Sequence, residues 1–166
     1  MIKIAYLHGL ESNNIGPKND WLRQIANVYD PQINYHEKHI FQKIFLEIKS
    51  FEPNLIVGSS MGGFFAYEIA KMLNIKAVLF NPALHSRSMN PDINGIISGK
   101  NKPTIIFILG KNDEIIDPKV TLKMNALEKN KNVTTKILDH GHGTPFEVFQ
   151  NEIRDFITSN FENKVI

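Results

Sequence analysis

LIVGSSMGGFFAYEIA, residues 55–70, decides how this chain is read. An apolar run from Leu55 breaks at Gly58 into two serines, and an apolar stretch with helical spacing resumes at once after Gly63. A strand that stops by Ser59 and a helix that begins near Met61 leave Ser60 alone at a turn of minimal length. In so tight a turn, side chains at positions 58 and 62 would collide, so Gly58 and Gly62 supply space. Gly63 extends the clearance where the helix packs on its strand.

Working outward, short runs rich in β-branched residues recur at 2–8, 54–59, 76–81, 104–110 and 133–139, with a weaker one, INYHE, at 33–37. Runs that are nearly all apolar belong to strands covered on both faces, as in a parallel sheet. Helical patterns fall between them at 18–28, 40–51, 61–73, 118–130 and 145–160. This alternation predicts right-handed βαβ crossovers and a doubly wound α/β sheet in a single domain over 1–166. Thr144, Pro145 and Glu147 read as a capping box that starts the last helix. The polar stretch 83–102 contains glycine and proline, and predicts either a short helix or the wall of a site.

Composition narrows the function. The chain has 166 residues, 42% apolar and 22% charged, with 19 basic and 17 acidic side chains and a net charge of +2. These charges are spread without blocks, which gives no case for nucleic acid or an anionic membrane as partner. With no cysteine, disulfides, thiol catalysis and thiolate metal sites are excluded. No run approaches the roughly 18 apolar residues of a membrane span, and the N-terminus lacks the basic region and cleavage site of a signal peptide. A cytoplasmic protein is the expectation.

Gly58-Ser59-Ser60-Met61-Gly62 fits G-x-S-x-G, the nucleophile elbow, whose chain order continues with an acid and then a histidine. A serine there needs a base, and the base needs an orienting acid. The loop after the strand at 104–110 offers Asp113 and Asp117. Asp113 can turn back over the sheet edge, whereas Asp117, ahead of Pro118, reads as a helix cap. In DHGHGTP, residues 139–145, His142 lies between two glycines and His140 lies nearer the strand. His142 is the favoured base and His140 the alternative. His-x-His spacing also suits metal ligation, but that would leave the elbow unexplained, so no metal is expected. The Met61 amide at the helix start, and the Leu10 amide after His8-Gly9, are candidates for an oxyanion hole. Leu10, Phe64 and Leu84 are candidates for an apolar substrate floor. His85 and Arg87 suit either an anionic group or a solvated loop. Asn81-Pro82 shapes a strand exit rather than reacting, and Trp21 packs a helix.

Assembled, these pieces resemble the α/β-hydrolases, and specifically the small esterases of the YqiA/UPF0227 type. The resemblance rests on YLHGLESN (6–13), VGSSMGGFFA (57–66), FNPA (80–83), GKNDEIID (110–117) and DHGHGTPF (139–146). Lys111 and Asn112 stand between Gly110 and Asp113, where the family has Gly-Asp-Glu. The resemblance implies a three-layer α/β/α hydrolase fold in a minimal lidless form, with about six mostly parallel strands. It further implies a Ser60–His142–Asp113 triad, with the Leu10 and Met61 amides as the oxyanion hole. The expected activity is hydrolysis of small acyl esters or thioesters without cofactor or metal. A catalytically silent binding domain, or acyl transfer on the same triad, are the rival expectations.

Overall fold

Five strands lie where the apolar runs predict them: β1 (Lys3–Leu7), β3 (Leu55–Ser59), β4 (Lys76–Phe80), β5 (Ile105–Gly110) and β6 (Val133–Leu138). The structure is a computed structural model and describes residues 1–93, 99–127 and 130–162. Strand β2 (Asn27–Tyr29) lies outside the segment INYHE, and its three residues pair in parallel with Lys3–Ala5. The expectation of a strand at 33–37 is therefore corrected. Ile33 and Tyr35 do alternate inward, and both are buried. However, the Ile33 N–H is taken by His8 Nε2 at 2.9 Å, and the Tyr35 hydroxyl donates to the His8 carbonyl. Burial produced the alternation without sheet pairing.

The helices are α1 (Pro17–Ile25), α2 (Ile40–Phe51), α3 (Met61–Leu73), α4 (Pro118–Leu127) and α5 (Phe146–Ile157); a π-helical turn, Thr158–Glu162, follows α5. Helix α1 stops short of the expected residue 28 because Ala26 is already extended and the chain turns into β2. The helix expected over 118–130 is seen as far as Leu127; residues 128–129 lie outside the described ones, and Asn130 is not helical. The capping box does not form. Pro145 holds the cap position with no side-chain bond, which leaves Glu147 one residue too early to close the box, and Thr144 is buried beside the serine turn.

All five strand pairings among the described residues are parallel, in the order β2-β1-β3-β4-β5-β6. Alternate strand residues feed two cores. Ala5, Leu7, Ile56, Leu79, Phe107 and Leu109 pack with α2 and α3, while Tyr6, Val57, Phe80, Ile106 and Ile108 pack with α1 and α5. Sheet and helices thus form the expected α/β/α layers. Helix α3 is apolar almost all round and buries nine residues, as the helix that follows the central strand must. Between β4 and β5 no helix occurs among the described residues. No described helix is long and apolar enough to cross a membrane.

Candidate active site

The turn from β3 into α3 forces Ser60 into a strained backbone, φ 52° and ψ −115°. Glycines make the turn possible. A Cβ on Gly58 would lie 2.4 Å from the Gly62 carbonyl oxygen, a collision across the turn with the backbone of residue 62 and not with a side chain there. The clearance at Gly62 serves a different neighbour: its Cβ would lie 2.1 Å from the Leu7 carbonyl oxygen of β1. Gly63 accommodates Pro82. The Ser60 N–H donates to Phe80 and its carbonyl accepts from Ala83, so the exit of β4 holds the serine backbone on both sides.

Ser60 Oγ lies 3.0 Å from His142 Nε2, and His142 Nδ1 lies 2.8 Å from Asp113 Oδ2. The imidazole is partly open to the cleft, while the Asp113 carboxylate is fully covered. Burying a carboxylate is costly unless donors surround it. Here Oδ1 accepts the N–H groups of Ile115 and Ile116 at 2.8 and 2.9 Å, leaving Oδ2 for the histidine. Asp117, the alternative acid, instead caps α4 through the Lys119 N–H at 2.8 Å. His140, the alternative base, is buried over Gly110 and bonds the Gly141 carbonyl through Nδ1, away from Ser60. Sequence favoured Asp113 and His142, and the side-chain directions in the structure separate each pair in the same way.

A cleft of about 710 Å³ opens above Ser60, walled by Gly9, Leu10, Met61, Ala83, Ile115 and His142 among others. Neither the Leu10 nor the Met61 amide has a hydrogen-bond partner among the described residues. His8 braces the Leu10 loop. Its Nδ1–H donates to Gly9 and its Nε2 accepts from Ile33, and burial pushes its pKa below the ordinary histidine value. Phe64 and Leu84, expected on the substrate floor, do not reach the cleft. They line a separate hollow with Tyr67 and Met124, because the α3 start turns Phe64 away from the serine.

The segment from Ala83 does wall the site. Arg87 borders the cleft, donates from Nη1 to the Ala83 and Leu84 carbonyls, and lies 4.2 Å over the Phe64 ring. His85 keeps a buried Nε2 without a partner among the described residues. Residues 94–98 of this stretch lie outside the described ones. Among the described residues, no three of His, Asp or Glu gather as a metal site requires.

One residue was undervalued in the sequence. Asn81 donates to the Gly141 and His142 carbonyls and accepts the Gly110 N–H. The only signal available was a polar residue, followed by proline, ending an apolar strand.

The family model described as uncharacterised protein family UPF0227 matches residues 3–97. A UPF0227 protein of Vibrio cholerae is 34% identical over 142 residues, 71% of this chain and 79% of that protein. Among solved structures, a Paleococcus ferrophilus monoacylglycerol lipase aligns with a TM-score of 0.72 at 17% identity, covering 95% of this chain and 94% of its own. The mouse alpha/beta hydrolase domain-containing protein 10 aligns with a TM-score of 0.71 at 12% identity, covering 95% and 90%. The fold is that of the α/β-hydrolases.

Proposed function

The chain belongs to the UPF0227 family, and we propose that it is a serine hydrolase cleaving small carboxylic esters or thioesters through an acyl-enzyme on Ser60. The observation that carries this reading is the unbroken pair of hydrogen bonds, 3.0 Å from Ser60 to His142 and 2.8 Å from His142 to Asp113. His142 takes the serine proton as Oγ attacks the acyl carbonyl, then returns it to the leaving alcohol or thiol. Asp113 orients the ring and favours its transient cation. The Leu10 and Met61 amides border the same cleft and are free to receive the oxyanion, a stabilisation worth about 10²–10³ in turnover per donor. Water activated by His142 then releases the acid. The cleft has room for a small acyl ester.

A fluorophosphonate probe tests the proposal directly. Wild type is expected to label at Ser60, Ser60→Ala not at all, and His142→Ala slower by about 10³ or more. Folded wild type that stays unlabelled would overturn the hydrolase reading in favour of a silent binding domain.

A further inference from the structure

Asn81 stands at the exit of β4, is 2% exposed and holds a backbone φ of 42°. L-residues enter that left-handed region at a cost that is smallest for Asn and Asp, so a bent backbone is being held for a purpose. The side chain shows what it serves. Oδ1 accepts the Gly110 N–H at 2.7 Å, at the end of the strand from which the Asp113 loop departs. Nδ2 donates to the His142 carbonyl at 2.7 Å and to the Gly141 carbonyl at 3.2 Å. One amide therefore ties the acid loop to the base loop. The flanking Phe80 carbonyl and Ala83 N–H grip the backbone of Ser60. Residues 80–83 touch the supports of all three groups.

Resting on the serine-hydrolase reading, we propose that Asn81 is a positioning residue that holds His142 in line between Ser60 and Asp113. The entry of the base loop is tied separately: the Asn112 N–H donates to the His140 carbonyl at 3.0 Å, its side chain donates to Asp139 at 2.8 Å, and His140 Nδ1–H reaches the Gly141 carbonyl at 2.8 Å. At the His142 carbonyl the partner is the Asn81 amide. A Cβ on Gly143 would meet nothing within 4 Å, and one on Gly141 only the Asn112 carbonyl at 3.7 Å. No side chain is in the way at positions 141 and 143, although the Gly141 carbonyl itself sits close over Gly110, where a Cβ would lie 2.4 Å from it. Polar bonds then set the imidazole's place, and two successive carbonyls there are held by the Asn81 amide. A misplacement near 1 Å in a reacting group costs on the order of 10² in rate. Asn81 is not part of the cleft wall, so its loss acts on proton transfer and not on substrate binding.

Asn81→Asp is the informative variant. It keeps the acceptor for Gly110 and the tolerance for positive φ while removing the donor to the base loop. With p-nitrophenyl acetate as substrate, kcat is expected to fall about 10–100-fold with KM within about twofold. Asn81→Ala, which lacks both halves of the clamp, falls at least as far. A folded Asn81→Asp with wild-type kcat, or with only KM raised, overturns the proposal. Wild type that neither hydrolyses the ester nor labels at Ser60 instead ends the hydrolase reading, and this proposal with it. Should neither variant fold, NMR of wild type decides. Slowly exchanging Asn81 amide protons with cross-peaks to His142 support the clamp, and rapidly exchanging ones without them overturn it.

Discussion

The turn at Ser60 and the loop at His142 come within 3.0 Å of each other, yet different forces hold them. The turn is fixed by exclusion of side chains, together with backbone bonds from Ser60 to Phe80 and Ala83. Its strained φ survives because Gly58 and Gly62 abut carbonyl oxygens too closely for any side chain. The loop is fixed by hydrogen bonds to other loops, through Asn81, Asn112 and Asp113; of its own glycines, Gly143 faces open space and Gly141 meets only the Asn112 carbonyl at ordinary contact. Neither Gly141 nor Gly143 has positive φ, so backbone conformation does not demand a glycine on either side of His142. A steric constraint leaves its mark in neighbouring letters of the sequence. A long-range bond does not.

The largest test of that contrast removes the loop's charged anchor. Asp113→Asn should lower kcat by about 10³–10⁴ while Ser60 stays in place, because the ring loses the acceptor that sets its tautomer. Asp117→Asn, which touches only the α4 cap, should leave kcat within about twofold. Steady-state kinetics on both variants decides the matter, and a larger loss in the second would reverse the assignment of the acid.

Legibility followed the same division. Gly58-Ser59-Ser60-Met61-Gly62 could be read because strand, turn and helix are consecutive, and each local preference agrees with the fold. The apolar runs of β1, β3, β4 and β5 were plain because both of their faces are buried. Strand β2 has three partly exposed residues and no pattern to find, while the better pattern at 33–37 came from burial against His8. Phe64 was misplaced for a related reason. Helical periodicity says that it lies inward but not which of two hollows it faces. Choosing Asp113 over Asp117 used a local signal, the proline after Asp117. Asn81 had no such signal, because its partners lie 29 and 61 positions away.

Alanine at two glycines would sharpen the comparison in stability. Gly62→Ala drives a methyl to 2.1 Å from the Leu7 carbonyl oxygen and 2.5 Å from that of His8, backbone atoms with no flexible side chain to yield. A loss of about 3 kcal/mol or more is expected, or failure to accumulate folded protein. Gly141→Ala meets only ordinary contact at 3.7 Å and should stay within about 0.5 kcal/mol of wild type. Urea denaturation of the two reads the difference, and equal losses would mean that the base loop is as tightly packed as the turn.

The smallest expected effect lies at His8, between the two regimes, where a buried side chain braces the loop carrying the Leu10 amide. Its Nε2 accepts the Ile33 N–H, which a protonated ring cannot do, and burial lowers its folded-state pKa below the ordinary value of about 6.5. As pH falls through that value, the unfolded chain takes up the proton first. Stability supplied by neutral His8 is therefore complete above about pH 6.5 and drains away toward the lower folded-state pKa. The slope from this one group cannot exceed about 1.4 kcal/mol per pH unit. Unfolding free energies from pH 7.5 to 5 should fall less steeply in His8→Gln than in wild type, whatever constant penalty the substitution adds. Parallel slopes would assign the acid sensitivity to other groups and leave the Ile33 contact a bond that does not depend on pH.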